Sequence, residues 1–387
     1  MNDAVRRVRL GRYAVAGLFF LNGYVIGNWA PKIPETALRL AISESQIGII
    51  LFAFGFGAIL GLPLAGIYMS RFGSRLLSLL GAFLSSFILL ALSLVPDFAA
   101  AIGVGFCFGL FLGGMDVAMN ANAVSVERAL KRPIMSSSHG FWSLGGLVGG
   151  ATGGWMIATA GPVAHALVVT AVCLAIWAGA FFTVMSDQSD TEAGSEGTRF
   201  RLPRQAIVYL TGLLALMSMV PEGSVLDWAA LFLIQERGAD LTMSGFAFAG
   251  FSLSMAALRF FGDGLRARFG PVALFRLSAI VAAAGMLFAV VAASPWLAIA
   301  GFCVSGLGMA NLVPIVLSAA GNLPGLRQGV GLSIATTLAY SGYIFVPTII
   351  GFIAERTGFV PVYIGLAALL ASAISLAGIT RHAAGTH

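Results

Sequence analysis

The chain has 387 residues, of which 58% are hydrophobic and 10% charged, and its mean hydropathy is +0.93. A soluble chain of this length carries about 25% charged residues and usually forms two or more domains. Apolar runs of about 18 residues or more recur from one end to the other, which is the length that crosses about 30 Å of hydrocarbon. These features exclude a soluble globular protein and predict a polytopic membrane protein.

The apolar runs predict an all-α fold with twelve transmembrane helices. We place them at residues 12–32, 46–70, 75–95, 98–123, 135–159, 163–185, 206–234, 243–266, 272–292, 296–320, 328–353 and 358–380. The first run is full length and contains Asn22 and Asn28, with no small-x-small cleavage site after it. We therefore expect it to be the first membrane helix and not a cleaved signal peptide.

The net charge of +6 is explained by topology. With the N-terminus inside, all but five of the 22 Lys and Arg residues fall on cytoplasmic segments or adjoining helix ends; the exceptions are Lys32, Arg39, Arg237, Arg259 and Arg356. This is the positive-inside bias of membrane proteins. It predicts a multi-pass protein of the bacterial inner membrane with both termini cytoplasmic, in contact with the lipid bilayer, and no nucleic-acid partner.

A polar segment near the midpoint divides the chain. Residues 186–206 are first acidic and then basic, and we interpret them as a cytoplasmic linker between an N-terminal six-helix bundle at 1–185 and a C-terminal one at 207–387. The halves share short strings: "RFG" at Arg71–Gly73 returns at Arg268–Gly270, 197 residues later, and "NWA" at Asn28–Ala30 returns as "DWA" at Asp227–Ala229. Two similar halves predict a secondary transporter with its site at their interface.

The loop after the second helix resembles a motif of the major facilitator superfamily. It has the sequence "GIYMSRFGSR", close to Gly-x-x-x-Asp-Arg-x-Gly-Arg-Arg, with Ser70 where the family has aspartate and Ser74 where it has a basic residue. The loop after the eighth helix, "GDGLRARFG", is similar to it. The resemblance implies this family's twelve-helix fold, and a gating role for the matching residues Gly66, Arg71, Gly73, Arg75, Asp263 and Arg268.

Three further stretches resemble one branch of that family. They are "GGMDVAMNANAV" from Gly113, "HGFWSLGGLVGG" from His139 and "PEGSVLDWAALFL" from Pro221. They are similar to fucose-permease-like and rhizopine-associated carriers and to some bacterial riboflavin carriers. The drug-antiporter pattern of the fifth helix is imperfect, because Gly154 occupies its proline position.

Two carboxylates, Glu222 and Asp227, lie in one predicted span. A charged side chain at the centre of a membrane helix costs at least about 2.5 kcal/mol, so it persists where it is shielded or used. The helical angle places Ser224, Asp227 and Trp228 on one face and turns Glu222 away from Asp227. Because Pro221 and Gly223 loosen a helix, we expect a broken helix that lines a cavity.

The coupling residues that we predict are Glu222, Asp227, Asp116 and Arg259. We expect at least one of the carboxylates at 222 and 227 to bind a proton when the cavity faces outward and to release it when the cavity faces inward. Arg259 is the candidate for the nearby cation that favours release. Alternatively, Asp116 and Arg259 form a structural ion pair. We expect His139 to be a gating or a packing residue and not a proton carrier.

Aromatic and amide side chains are expected to line the solute cavity. The candidates are Tyr24, Asn28, Trp29, Trp142, Trp228, Asn311 and Tyr343. Flat aromatic faces beside amides suit a sugar or polyol ring, or a heterocycle such as a flavin, better than a bare ion. The alternative is that each tryptophan is an ordinary core or interfacial residue, and that Asn311 only forms a hydrogen bond between helices.

Other classes of protein lack their signals. A primary pump needs a nucleotide site, and the glycine run Gly145–Gly154 is not followed by Lys-Ser or Lys-Thr. An enzyme needs a nucleophile with a base or a metal set, and neither four histidines nor three cysteines supply one. We therefore predict a monomeric, proton-coupled importer of a small organic solute, with no cofactor or metal. An efflux antiporter is the alternative, and a membrane receptor or enzyme the alternative class.

Overall fold

The computed structural model describes residues 3–131, 134–186, 203–259, 261–324 and 330–383. Most of the predicted linker at 186–206 lies outside these ranges, as do the basic residues Arg132 and Arg327. The side chains of Asp263 and Tyr343 also lie outside the described part, although their backbones belong to helices. Every regular element in the described ranges is helical.

The chain divides into two compact units, Met1–Thr198 and Arg199–His387. The helices of the first unit are α1 (Asp3–Leu40), α2 (Glu44–Ser86), α3 (Ile88–Leu94), α4 (Phe98–Leu130), α5 (Met135–Ala160) and α6 (Pro162–Thr183). α2 contains two spans joined at Gly73, and α3 continues the second of them. The first unit thus has six spans.

The second unit repeats this organisation. Its helices are α7 (Ala206–Arg237), α8 (Leu241–Arg259), α9 (Gly262–Phe269), α10 (Pro271–Val291), α11 (Pro295–Met309), α12 (Leu312–Gly321), α13 (Val330–Thr357) and α14 (Phe359–Ala373), followed by a 3₁₀ helix at Ile374–Ala383. Three of the predicted spans are each formed by two consecutive helices: α8 and α9, α11 and α12, and α14 and the 3₁₀ helix. The predicted twelve-helix all-α fold is confirmed.

Nine helical segments of the described residues are long and apolar enough to cross a membrane. One of them, Glu44–Leu94, has 51 residues and holds two spans. The remaining two of the twelve are α1 and α5, which are rich in charged residues and in glycine and serine, respectively. Large apolar side chains such as Phe182 and Val291 are mostly exposed, as expected where lipid covers the surface.

The glycine of the shared "RFG" string has the same conformation in both halves. Gly73 has φ 75° and ψ 169°, and Gly270 has φ 75° and ψ 158°. Residues with a Cβ rarely adopt this positive φ, so glycine allows the sharp turn between two spans. Gly161 and Gly358, also 197 residues apart, repeat the relationship at the start of α6 and α14. The sequence repeat therefore corresponds to a repeated backbone.

Small residues bring the helices of the first unit into close contact. A Cβ at Gly109 of α4 would overlap the carbonyl oxygen of Phe54 on α2, and one at Gly145 of α5 would overlap that of Phe20 on α1. Such close approach is the usual means of packing membrane helices. Gly66, in contrast, has nothing within 4 Å of a Cβ position.

α1 differs from the predicted first span. The prediction ended this helix at Lys32, whereas α1 continues through Pro31 and Pro34 to Leu40. The extension carries Lys32 and Glu35 into the interior of the first unit, where they are 0% and 6% exposed.

Candidate functional site

An ion pair joins α7 and α8 in the second unit. The Nη2 atom of Arg259 lies 3.4 Å from Oε1 of Glu222, and the two side chains are 35% and 23% exposed. Arg259 also donates from Nε to the carbonyl oxygen of Ala310, at 3.3 Å. The guanidinium is thus held between a carboxylate and a backbone carbonyl, and part of it remains accessible.

The carbonyl that Arg259 contacts belongs to a break in the tenth span. α11 ends at Met309 and α12 begins at Leu312. Pro314 has no N–H to donate to Ala310, four residues earlier, and its ring opposes a helical carbonyl there. Asn311 lies in the break, is 5% exposed, and has no hydrogen-bond partner for Nδ2 in the described part of the chain.

The predicted break in the seventh span is wrong. α7 runs as one helix from Ala206 to Arg237, with Pro221 inside it. The helix break that the sequence predicted beside Glu222 lies instead between α11 and α12. Arg259 contacts both Glu222 and the Ala310 carbonyl at this break. Neighbouring helices let a membrane helix tolerate an internal proline.

Asp227 and Trp228 lie away from the Glu222–Arg259 pair. With Ser224 of the same helix they line a small pocket between α7 and α13, whose other walls are Met219, Val220, Gly223, Gly342, Val346 and Pro347. Asp227 is 7% exposed and Trp228 is 0% exposed. The predicted common face of Ser224, Asp227 and Trp228 is therefore present, and Glu222 is not part of it.

The Trp228 ring packs inside the second unit. Its ring centre lies 5.6 Å from that of Phe359 on α14, and its Nε1 has no hydrogen-bond partner among the described residues. Tyr363, also on α14, donates its hydroxyl to the Ser224 carbonyl at 3.2 Å. Trp228 thus has both a packing contact and an unused donor beside a cavity.

The equivalent stretch of α1 is also buried. Asn28 accepts at Oδ1 from His165 Nε2 of α6, at 2.8 Å, and donates from Nδ2 to the Tyr24 carbonyl at 2.8 Å. Because the amide nitrogen is the donor to Tyr24, Oδ1 is the acceptor and His165 carries its proton on Nε2. Trp29 is 3% exposed and packs on Phe54 and Phe108.

The remaining predicted residues of the first unit are spread over α1, α4 and α5. Trp142 donates from Nε1 to Oδ1 of Asn22 at 2.9 Å, and His139 is exposed with its ring edge-on to Phe19 at 5.1 Å. Asp116 is partly buried and accepts from Nδ2 of Asn120 on its own helix, at 3.4 Å. Tyr24 is 5% exposed.

The loop-motif residues lie near helix ends. Arg75 donates to the Ser186 hydroxyl and to the Phe181 carbonyl, each at 3.0 Å, which ties the second-to-third turn to the end of α6. Arg71 is exposed, and Arg268 lies over the ring of Phe269 at 5.4 Å. A gating role for these residues, and for Asp263, remains a prediction.

Sequence reasoning missed a buried charged cluster on α1. Lys32 Nζ lies 2.8 Å from Oε2 of Glu35, and Arg39 Nε lies 2.8 Å from Oε1 of the same carboxylate. The i, i+3 and i, i+4 spacing is typical of ion pairs on one helix. The predicted first span ended at Lys32 and left Glu35 and Arg39 outside it, so this spacing was not considered.

The chain belongs to the major facilitator superfamily of membrane transporters. It matches the sequence profile of the Major Facilitator Superfamily over residues 15–221 and 212–385. It is 31% identical over 367 residues to an uncharacterized MFS-type transporter of Yersinia pestis, covering 94% of both chains. It is 32% identical over 345 residues to the membrane protein MosC of Rhizobium meliloti, covering 89% of this chain and 84% of MosC.

Solved transporters have the same fold. A mutant of the nucleoside transporter NupG matches with a TM-score of 0.80 at 12% identity, over 95% of this chain and 99% of its own. The D-xylose-proton symporter matches with a TM-score of 0.74 at 16% identity, over 96% of each chain. The resemblance to this family that the sequence predicted is confirmed.

Proposed function

We propose that this protein is a secondary active, proton-coupled importer of a small organic solute that works by alternating access. The solute is a sugar or polyol, or a vitamin of the riboflavin type. The proposal combines membership of a transporter family with an accessible ion pair in membrane-spanning helices.

The single observation that carries proton coupling is the Glu222–Arg259 pair. A carboxylate and a guanidinium that are 23% and 35% exposed are not sealed in the core. At 3.4 Å the contact is longer than the typical charge-assisted hydrogen bond of about 2.7–2.9 Å. A proton on Glu222 would remove the negative charge from this pair and leave Arg259 with the Ala310 carbonyl, so protonation and the arrangement of α7 and α8 are linked.

The solute class rests on the composition of the candidate site. Amides such as Asn28 and Asn311 and aromatic rings such as Trp142 suit a hydroxylated ring or chain. Two solved proteins with this fold are a nucleoside transporter and a D-xylose-proton symporter. Nucleosides, xylose and riboflavin all contain a five-carbon sugar or sugar alcohol, which makes pentose-bearing compounds the first candidates.

We place the transporter in the bacterial inner membrane as a monomer with both termini cytoplasmic. The positive-inside distribution of Lys and Arg supports this orientation, and the similar MFS-type transporter and MosC come from bacteria.

A ligand screen followed by uptake tests the proposal. Purified protein is screened by thermal shift against pentoses, hexoses, polyols, nucleosides and flavins. Each compound that raises the unfolding temperature is then offered, radiolabelled, to proteoliposomes with an inward proton gradient. Accumulation above the external concentration, abolished by a protonophore, supports the proposal. Equilibration without accumulation, or accumulation unaffected by the protonophore, contradicts proton coupling.

A further inference from the structure

The charged cluster on α1 has no role in the proposed Glu222–Arg259 mechanism. Lys32 is 0% exposed, Glu35 is 6% exposed, and one carboxylate accepts from both Lys32 and Arg39. A buried ion pair is weak evidence for stability, because hydrophobic side chains of similar volume often replace one without loss. At the corresponding positions of α7, 198 or 199 residues later, every candidate is apolar: Ala230 or Leu231 for Lys32, and Leu233 or Ile234 for Glu35. The charges are therefore not required to pack a helix of this kind.

The two hydrogen bonds of Lys32 can be made by an ammonium or by a neutral amine. In the described residues, Nζ has two acceptor oxygens, Oε2 of Glu35 at 2.8 Å and the carbonyl of Pro162 at 3.5 Å. An ammonium has three N–H donors, and an amine has two donors and a lone pair. Loss of one proton therefore leaves a donor for each of these two contacts.

The charge balance favours the same change. Lys32, Glu35 and Arg39 together carry two positive charges and one negative charge. An uncompensated charge inside a protein is unfavourable. When Lys32 is neutral, Arg39 and Glu35 remain as a balanced pair at 2.8 Å, and Arg39 keeps its bonds to the carbonyl oxygens of Leu92 and Val95 on the third span.

The groups that face the cluster from other helices are few. His165 of α6 lies three residues after Pro162, is fully buried, and interacts electrostatically with Lys32. Its Nδ1 has no hydrogen-bond partner in the described part of the chain. The third span contributes the Ser93 hydroxyl, which donates to the Pro162 carbonyl at 3.1 Å. Asp97 caps the start of α4 and accepts from the Ala100 amide. Glu44 is the first residue of α2. α5 contains no Asp, Glu, Lys or Arg.

We propose that Lys32, held by Glu35 and Pro162 beside His165, is a second proton-binding site of this transporter, located within its first half. In the exchange, an N–H bond of the ammonium breaks, its electron pair stays on Nζ, and the proton leaves to water. The amine keeps both hydrogen bonds, so the cluster changes charge without losing its contacts.

The two-lysine composition of the chain makes a direct test possible. Lys32 and Lys131 are its only lysines, and Lys131 is exposed. Protein labelled with ¹⁵N-lysine is titrated in nanodiscs, without solute, from about pH 5 to about pH 9, and the Nζ signals are followed by NMR. The Lys131→Arg variant assigns the remaining signal to Lys32. The signal of the exposed Lys131, recorded in the same wild-type sample, is the internal reference.

We expect the Lys32 signal to change from the ammonium to the amine position within this range. In Glu35→Gln the change should occur at a pH lower by about 1 unit, because the carboxylate that favours the ammonium is gone. A Lys32 signal that stays at the ammonium position throughout, or at the amine position throughout, would overturn the proposal. Because no solute and no transport are measured, this result is independent of the role of Glu222.

Discussion

Arg39 of α1 and Arg237 of α7 make the same contact in the two halves of the chain. Arg39 donates to the carbonyl of Leu92 at 2.6 Å, and Arg237 donates to the carbonyl of Val290. The two arginines are 198 residues apart, and so are the two acceptors. Each arginine satisfies a carbonyl at the end of the third span of its half, where a helix leaves its last carbonyls unpaired.

Replacing either arginine by alanine should destabilise the protein. Hydrogen bonds to charged groups contribute about 1.5–3 kcal/mol, and we expect about 1–3 kcal/mol for each variant because the side chains are partly accessible. The loss is measured as the thermal unfolding midpoint in detergent. Arg356→Ala is the matched control, because Arg356 is exposed and its hydrogen bond within the described ranges goes to Phe352 of its own helix. Equal midpoints for all three variants would show that the repeated contact does not stabilise the fold.

Gly109→Ala should disrupt the first half, whereas Gly103→Ala should be tolerated. A Cβ at Gly109 would overlap the Phe54 carbonyl, so α2 and α4 would have to separate. A Cβ at Gly103, on the same helix, has nothing within 4 Å. The yield of monodisperse protein and its unfolding midpoint measure the difference. If Gly109→Ala behaves like Gly103→Ala, the close packing of α2 and α4 is incorrect.

Trp228→Phe and Trp29→Phe test the predicted role of these rings in solute binding. Phenylalanine keeps an aromatic ring against Phe359 or Phe108, so both variants should fold, whereas alanine would cost about 3–5 kcal/mol of stability at these buried positions. If the indoles contact the solute, loss of the N–H donor and of the larger ring should lower affinity about fivefold, roughly 1 kcal/mol. Binding of a compound from the thermal-shift screen is measured by titration. Trp296→Phe, which alters an exposed ring stacked on Phe246, is the control. Unchanged affinity in both test variants would make them packing residues.

A protease site placed in the 186–206 segment tests the orientation. The distribution of Lys and Arg predicts that this segment is cytoplasmic. Protease added to intact spheroplasts should leave the chain whole, and protease added to inverted vesicles should cut it into two halves. Cleavage in spheroplasts would reverse the orientation and the predicted direction of proton movement.

The fold was largely predictable because twelve apolar runs and a repeated string are properties of the sequence alone. The errors concern proline. The predicted first span ended at Lys32, whereas α1 continues through Pro31 and Pro34. Pro221 suggested a break in α7, yet that helix also continues. A proline removes one hydrogen bond, but packing against neighbouring helices decides whether the helix ends. At Pro314 the freed carbonyl of Ala310 has a partner in Arg259, and there the helix does break.

The candidate site was predictable only in part. The spacing on α7 correctly separated Glu222 from the face of Asp227 and Trp228. It gave no information on which helix would supply a partner, and the Glu222–Arg259 pair depends on how α7 and α8 pack. The burial of Asn28 against His165 likewise depends on a contact across 137 positions.

The central claim is that Glu222 couples solute movement to protons. The direct measurement compares wild-type protein, Glu222→Gln and Glu236→Gln in proteoliposomes loaded for two assays, accumulation under an inward proton gradient and exchange at equal solute concentrations. Glu236→Gln is the control, because Glu236 lies on the same helix and a glutamine oxygen can still accept from the Phe359 amide. We predict that Glu222→Gln loses accumulation but retains exchange, while the control retains both. Accumulation by Glu222→Gln at the wild-type level would contradict the account.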